Sequence, residues 1–261
     1  MRAKLINNSQ KALLLHINKY HIVMKWIEIK GSVGEQMLRY TLALSMNKGG
    51  NEVGVTGASE KFHATFPALP RFQQKRISLT DWISRAFGSN QNDCTDWLSY
   101  KYAESLGNNI HSYFSIAPSQ IPADFASIMS KLQCDNVVAV HVVHSDKGLC
   151  SCTPDYYNWA ISGMQQWLGD VRFVVLTDNL NLTRQWLKLN TGDAEWVQLP
   201  QRQHTLIFHL MQQAAHCITS GTIESWWGAW LNNNPDKIVV VPKSDAHSRL
   251  SPLYWTIVPI T

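Results

Sequence analysis

The stretch CITSGTIESWWGAWLNNNPDKIVVVP, residues 217–242, contains the clearest succession of structural elements in the chain. Hydroxyl-bearing residues and a glycine at 219–222 lead into a helical segment at 224–232. The asparagine-rich turn NNNPDK follows, and KIVVVP then has the β-branched composition of a buried strand. Neighbouring helix positions face different sides, so we expect at least one of Trp226 and Trp227 to enter the core.

Three further apolar runs lie upstream, and they are rich in Val and Ile: WIEI at 26–29, NVVAVHVV at 136–143 and VRFVVLT at 171–177. Continuous apolar strands are typical of parallel sheets, in which both faces are buried. Helical patterns occupy intervening segments, at 35–47, 155–168 and 205–216. Alternating strands and helices predict an α/β fold with crossover connections.

The chain has 261 residues, which is long for one domain and short for two full ones. The proline-containing stretch PSQIPADF at 118–125 is a candidate linker. We therefore predict two Rossmann-like lobes that face each other across a cleft, an N-terminal lobe at 24–122 and a C-terminal lobe at 123–261. Because Met24 opens MKWIEIKG like a natural start, we interpret residues 1–23 as an extension outside the fold.

Composition restricts the class of protein. Hydrophobic residues make up 45% and charged residues 16%, which argues against disorder. The net charge of +4 suits an anionic small molecule, but there is no basic stripe with interleaved aromatics, so we expect no nucleic-acid partner. No run approaches the ~20 apolar residues of a membrane span. We therefore expect a cytoplasmic protein with at most peripheral contact at the inner face of the plasma membrane.

The five cysteines show no disulfide framework, which favours a reducing compartment. Cys150 and Cys152, with His141 and His144, allow a zinc site as one interpretation and a loop with incidental thiols as the other. The two-residue cysteine spacing typical of zinc sites is absent, so we favour the loop and predict no metal ligands.

Ligands of parallel α/β sheets bind beyond the carboxyl ends of the strands, and three loops follow strands here. In IKGSVGEQMLRY, Gly31 and Gly34 permit a close backbone approach before a helix that begins near Glu35. The same glycines also fit a tight turn without a ligand. In HVVHSDKG, His141 and His144 are either ligand-binding residues or satisfied core histidines.

The third loop is the hydroxyl-rich bend at 219–222. Its side chains and amides stand at a helix start, where the backbone favours negative charge. We therefore predict a phosphate cradle at this bend.

Together, the three loops resemble the bacterial α-1,2-fucosyltransferases, an inverting family that uses GDP-fucose. Members of that family open with GGLGNQ-F-Y, carry H-x-R-R-G-D after a strand and a YY-A helix, and close with NSSFSWWGAWLN-NPDK-I-PK. The corresponding stretches here are KGSVGEQMLRY, HVVHSD, PDYYNWAISGM and SWWGAWLNNNPDKIVVVPK. The order and spacing cover nearly the whole chain from Met24. The resemblance implies a GT-B-like glycosyltransferase fold.

The chain departs from the family pattern in its charged residues. The central arginine pair falls on Val143 and His144, although His141 and Asp146 are retained. The opening asparagine falls on Glu35. Before the tryptophans, the Asn-Ser pair falls on Gly221 and Thr222, and the aromatic residue falls on Glu224.

Loss of the arginine pair matters because a departing diphosphate needs preorganised positive charge, which valine cannot supply. Three interpretations stay open. A nearby base such as Arg39 or Lys147 compensates, the donor is not GDP-fucose, or catalysis is lost and only the fold remains.

An inverting transfer also needs a base for the acceptor hydroxyl. The predicted catalytic residues are Glu35 and Asp146 as candidate bases, with Arg39 as the compensating charge. The predicted donor-binding residues are His141, His144, Lys147, Ser220, Thr222, Glu224 and Ser225. The predicted loop and acceptor-side residues are Gly31, Gly34 and Gln36. No convincing Asp-x-Asp loop is present, so we expect no divalent cation and no cofactor.

The resemblance implies transfer of a fucose-like deoxyhexose from a GDP-sugar to a hydroxyl of an oligosaccharide or lipid-linked glycan. The donor would bind the C-terminal lobe and the acceptor the N-terminal lobe, in synthesis of a bacterial surface polysaccharide such as O-antigen. The alternatives are an enzyme with a different nucleotide-sugar and a non-catalytic glycan-binding relative.

Overall fold

The computed structural model describes residues 25–73, 97–116, 118–144, 149–190, 192–200 and 204–260. The predicted extension at 1–23 lies outside these residues, and so do Asp146 and Lys147.

The first part of the fold is a small parallel sheet with a crossover helix. Strands β1 (Lys25–Glu28) and β2 (Val53–Thr56) pair in parallel, and α1 (Val33–Lys48) connects them. Helix α1 begins at a capping box, in which the Ser32 hydroxyl accepts the Glu35 N–H and the Glu35 carboxylate accepts the Ser32 N–H. Short helices follow: α2 (Glu60–Thr65), α3 (Tyr100–Leu106) and α4 (Asn109–Tyr113).

The predicted linker at 118–125 contains two 3-10 turns, Pro118–Gln120 and Ala123–Phe125, and it runs directly into α5 (Ala126–Leu132). The division into two domains at this point stays a prediction.

The second part is a six-stranded parallel sheet. Its strands are β3 (Val137–Val142), β4 (Arg172–Thr177), β5 (Ala194–Gln198), β6 (His216–Ile218), β7 (Val239–Pro242) and β8 (Thr256–Val258). Their spatial order is β5-β4-β3-β6-β7-β8, and every adjacent pair is parallel. That order is the doubly wound arrangement of the Rossmann fold, with β3 as its first strand.

Helices connect the successive strands of this sheet. They are α6 (Pro154–Leu168), α7 (Leu180–Trp186), α8 (His204–Met211), α9 (Ile223–Trp230) and α10 (Asp245–Leu250). The predicted α/β class with parallel sheets is confirmed, and the four predicted strands are present. The predicted helix at 205–216 is wrong at its end, because α8 stops at Met211 and residue 216 opens β6 between β3 and β7.

Alternate residues of the central strand β3 enter different apolar layers. Val138, Val140 and Val142 pack with α6, on one face of the sheet. Val137 and Ala139 pack on the other face, in the core that includes α8 and α9. The two-residue period of a strand therefore buries both faces of the sheet.

One apolar core joins the small sheet to the large one. It runs from Ile27 and Met37 in the first part to Phe208 and Trp227 in the second. Helices α8 and α9 approach closely within it, because a Cβ at Gly228 would lie only 2.5 Å from Cβ of Met211. A glycine is therefore required at the centre of the tryptophan-rich helix.

The adjacent tryptophans of α9 are both fully buried, and they point to different partners. The indole N–H of Trp226 donates to the carbonyl of Leu250 at 3.0 Å, in α10. The indole N–H of Trp227 donates to the carbonyl of Gly34 at 3.0 Å, in α1. One indole thus fixes α9 within the large sheet, and the other fixes it to the first part.

The NNNPDK turn closes the end of α9. The Asn232 side-chain amide donates to the Ala214 carbonyl, and the Lys237 ammonium donates to the carbonyls of Trp230 and Asn232. A cation at a helix carboxyl end satisfies its unpaired carbonyls. The match of this turn to the fucosyltransferase pattern therefore has a structural explanation.

We predict that Trp227→Phe lowers the free energy of unfolding by about 1–3 kcal/mol, because the buried Gly34 carbonyl loses its donor. Urea denaturation measures this loss. The matched control is Trp159→Phe, since Trp159 is 51% exposed, and that change should cost less than about 0.5 kcal/mol. Equal losses for the two variants would contradict the role of the Trp227 indole.

Candidate active site

The strand order of the large sheet reverses between β3 and β6. In doubly wound sheets, ligands bind in the crevice at this reversal, outside the carboxyl ends of the strands. His144 follows β3 at this edge, and the predicted phosphate bend at 219–222 follows β6. The topology therefore brings two of the three predicted loops to the position that suits a ligand.

Four predicted donor-binding residues form one hydrogen-bonded set at this edge of the sheet. The Ser220 hydroxyl lies 3.0 Å from Nδ1 of His141, 2.9 Å from the Thr222 hydroxyl and 3.1 Å from the Ser225 hydroxyl. The Thr222 hydroxyl also accepts the Ser225 N–H and so caps α9. Each of the four residues is 4% exposed or less.

The hydroxyls are thus engaged with one another and fix the shape of the bend. A phosphate that reached them directly would have to displace one of these hydrogen bonds. Direct donor contact by Ser220, Thr222 and Ser225 stays a prediction.

The segment after β3 lies against the bend. The Leu149 N–H donates to the Gly221 carbonyl at 2.5 Å. A Cβ at Gly221 would lie 1.9 Å from the Cys150 carbonyl oxygen, so the backbones meet without room for a side chain. From α6, the Tyr156 hydroxyl donates to the Thr219 carbonyl at 2.7 Å. The bend is therefore held from both sides.

His144 is held by the loop and helix that follow β4. The backbone N–H of His144 donates to the Asp178 carboxylate at 3.0 Å, and Nε2 of its ring lies 2.8 Å from the Thr183 hydroxyl. Its ring packs edge-on against Trp186, with 4.4 Å between centroids. Burial lowers the pKa of His144 although Asp178 opposes the shift, so the ring is neutral at pH 7. The role of His144 in donor binding stays a prediction.

The glycine loop of the first part docks on the start of α9. The Gly34 N–H donates to Oε1 of Glu224 at 3.2 Å. A Cβ at Gly34 would lie 3.0 Å from the Ile223 side chain and 3.1 Å from the Glu224 nitrogen. The Glu224 carboxylate is buried, so in this structure it fastens the first and third predicted loops together. Its part in donor binding stays a prediction.

The remaining residues predicted on α1 lie beside this junction. Oε2 of Glu35 accepts the Ser32 N–H at 2.7 Å, and the Gln36 amide donates to the Gly31 carbonyl at 3.0 Å. The Arg39 guanidinium lies over the ring of Trp97, 4.3 Å from its centroid. Glu35 therefore serves as a helix cap in this structure, and its catalytic role stays a prediction.

Within the described ranges, no group of three or more His, Cys, Asp or Glu side chains could hold a metal ion. Cys150 instead contacts His247, a residue that the sequence reasoning missed. Asp178 is also absent from the predicted site, although it directly follows the buried strand β4, at the carboxyl end where ligands of parallel sheets bind. Among these same residues, no helix combines the length and apolarity that crossing a bilayer requires.

No protein-family model matches the chain. Among curated proteins, it is similar to the alpha-1,2-colitosyltransferase of Escherichia coli, with 23% identity over 159 residues, 56% of this chain and 53% of that protein. It is also similar to the O-antigen biosynthesis glycosyltransferase WbnK of Escherichia coli, with 28% identity over 96 residues, 34% of this chain and 30% of that protein. The chain thus spans about half or less of the length of these relatives.

Solved glycosyltransferases overlap with more of the chain. Fucosyltransferase NodZ from Bradyrhizobium has a TM-score of 0.48 and 10% identity, over 78% of this chain and 92% of that chain. The ADP-heptose LPS heptosyltransferase II of E. coli has a TM-score of 0.44 and 11% identity, over 91% of this chain and 90% of that chain.

We predict that Gly221→Ala destabilises the fold by about 1–3 kcal/mol, because the new Cβ would collide with the Cys150 backbone. Gly192→Ala is the matched control, since a Cβ there meets nothing within 4 Å, and its effect should stay within about 0.5 kcal/mol. Thermal unfolding of both variants checks the difference. Two equally stable variants would show that the 149–150 segment does not press on the bend.

Stability should also fall as pH drops from 7.5 to 5.5. Burial lowers the pKa of five histidines, namely His63, His111, His144, His209 and His216. The unfolded chain binds protons on these rings near pH 6.5, and the folded chain only at lower pH. The stability that is present above pH 6.5 is therefore lost as the pH falls through the pKa values that these histidines have in the folded state.

The measurement is Tm across that range, where carboxylates of ordinary pKa stay ionised. The same scan on His209→Gln should be less steep. A Tm that stays constant or rises towards pH 5.5 would contradict the assignment of buried, neutral histidines.

Proposed function

We propose that the chain is a glycosyltransferase that binds a nucleotide-sugar donor and a glycan acceptor in synthesis of bacterial O-antigen or lipopolysaccharide. The observation that carries the proposal is the reversal between β3 and β6, where His141 meets the 219–222 bend at the position at which doubly wound sheets bind nucleotides. The names of the two curated relatives support it. Both are glycosyltransferases, and one is assigned to O-antigen synthesis.

For the donor, we propose a GDP-sugar that carries a fucose-like deoxyhexose. The support is the long match of SWWGAWLNNNPDKIVVVPK to the α-1,2-fucosyltransferase pattern. Part of that match is structural, since Trp226, Trp227 and Lys237 hold the fold together. The donor therefore needs a direct test.

We propose an inverting reaction. The acceptor hydroxyl attacks the anomeric carbon as the nucleoside diphosphate leaves, and a carboxylate takes the hydroxyl proton. Glu35 and Asp146 are the candidate bases. Glu35 would have to release the Ser32 N–H, or use its second oxygen, to accept that proton. The rate would then depend on how close the carboxylate comes to the acceptor hydroxyl, because a general base must lie within hydrogen-bond reach of the proton that it removes.

Positive charge for the leaving diphosphate would come from Arg39 and Lys147. Arg39 lies on α1, and its guanidinium group stacks on the ring of Trp97, which orients that group. We place the donor on the C-terminal lobe, against the 219–222 bend and His144, and the acceptor at the glycine loop of Gly31, Gly34 and Gln36.

A second candidate function, a glycan-binding relative without catalysis, is favoured by two observations. The hydroxyls of the bend are closed on one another, and His144 is neutral at pH 7. Both reduce the capacity of the crevice to hold a diphosphate.

Calorimetry with GDP, UDP, CMP and ADP separates these functions. We expect GDP to bind most tightly. Preference for another nucleotide would support a glycosyltransferase that uses a different donor. Binding of a glycan without binding of any nucleotide would favour the non-catalytic relative.

We further predict that Arg39→Ala and Lys147→Ala each weaken GDP binding by about tenfold, the loss of one charged phosphate contact. Arg172→Ala is the matched control, because Arg172 is exposed at the amino end of β4, opposite to the strand ends that carry the predicted site. The GDP affinity of this variant should be unchanged. Unchanged affinity and turnover in Arg39→Ala would remove that residue as the compensating charge.

A further inference from the structure

Two thiols and an imidazole lie beside the bend. Sγ of Cys150 is 3.9 Å from Nδ1 of His247, and the same nitrogen is 2.8 Å from the Ser244 hydroxyl. His247 is fully buried. Cys152 follows two residues later, and each thiol shifts the pKa of the other. Both cysteines are partly exposed and neither is in a disulfide, so reagents can reach them.

The surroundings shift the pKa values of the two thiols in opposite directions. The hydrogen bond from Cys152 and the His247 imidazole lower the pKa of Cys150, while burial opposes them. The pKa of Cys152 is raised by the neighbouring Cys150 and by burial. Tyr156 and Tyr157 face the pair from α6, and burial keeps both phenols neutral because it raises their pKa.

The other described cysteines provide a contrast within the same chain. Cys134 is exposed, and its thiol donates to the Ser130 carbonyl rather than lying beside an imidazole. Cys217 is fully buried, which raises its pKa to about 12. Among the described cysteines, reactivity should therefore be concentrated at Cys150.

We propose that Cys150 is a reactive, oxidation-sensitive thiol, that His247 activates it, and that Cys152 is its resolving partner. The reagent class is a two-electron oxidant such as hydrogen peroxide, together with soft electrophiles. This site is separate from the proposed transfer reaction and does not depend on it.

Oxidation of the two thiols by one peroxide takes two steps. The Cys150 thiolate attacks one peroxide oxygen, the O–O bond breaks, and Cys150 becomes a sulfenic acid while the released hydroxide takes a proton and becomes water. Cys152 then loses its proton, and its sulfur attacks the Cys150 sulfur. The S–O bond breaks, and the leaving hydroxide combines with that proton. Two thiols are oxidised to one disulfide, and one peroxide is reduced to two waters.

Closing this ring would alter the bend. A disulfide holds its sulfurs at about 2.05 Å and its Cβ atoms at about 3.8 Å. The Cys150 carbonyl already presses on Gly221, and Leu149 donates to the Gly221 carbonyl. Any backbone shift at 150–152 is therefore transmitted directly to the bend after β6.

The first test is alkylation of the full chain with limiting iodoacetamide at pH 6.5, read by peptide mass spectrometry. An ordinary thiol is only about 1% ionised at this pH. We expect Cys150 to react at least about tenfold faster than Cys134 and the ratio to narrow towards pH 8.5. A ratio near one or below at pH 6.5 overturns the proposal.

The second test is a brief treatment with hydrogen peroxide. We expect the peptide that carries both Cys150 and Cys152 to lose about 2 Da, reversibly with dithiothreitol, as two hydrogens are removed. In Cys152→Ser, the sulfenic acid should persist at Cys150 and be trapped by dimedone. Oxidation at Cys134 in preference to Cys150, or a Cys150 that forms neither disulfide nor trapped sulfenic acid, overturns the proposal.

The third test is His247→Gln, which should slow alkylation of Cys150 at pH 6.5 and leave Cys134 unchanged. An unchanged Cys150 rate in a variant with a normal unfolding transition overturns the role of His247. Because His247 is buried, Ser244→Ala is a second variant, which keeps the ring and removes its hydroxyl partner together with the cap on the His247 N–H. It should slow alkylation of Cys150 without affecting Cys134. None of these measurements uses nucleotide or glycan, so they stand apart from the test of the transferase.

Discussion

The structure depends on the way one glycine of the first part is held by one helix of the second. Both backbone polar groups of Gly34 are bound by side chains of α9, the N–H by Glu224 and the carbonyl by Trp227. These partners are 190 and 193 positions away along the chain. A side chain at Gly34 would press on Ile223 and on the backbone of Glu224, so the contact favours glycine. The position of the small sheet against the large one follows from this contact and from the shared apolar core.

The same contact explains why the site is assembled but weakly charged. It brings the glycine loop, with Glu35 and Arg39, to the helix that begins at the 219–222 bend. It also engages the Glu224 carboxylate in holding the loop. The bend hydroxyls are bonded to each other and to His141. Under the proposed function, a diphosphate at the bend would need positive side chains beyond this set, because burial lowers the pKa of His144.

The sequence predicts the strongly buried elements well and the short ones poorly. Strands β3, β4 and β7 are continuous apolar runs, so their burial on two faces is visible without a structure. Strand β6 has only three residues and directly follows a segment of helical periodicity, so the predicted helix runs on to the first residue of this strand. The meeting of His141 and Ser220 follows from strand topology. The contact between Cys150 and His247 spans 97 positions and no spacing pattern indicates it.

The unbroken apolar core also limits how far the two sheets could move relative to each other. Residues from both sheets contribute to it, so separating them like two halves of a clamp would expose buried tryptophan and phenylalanine to water. The shared core therefore couples the small sheet to the large one, so that neither can shift without disturbing the packing of the other.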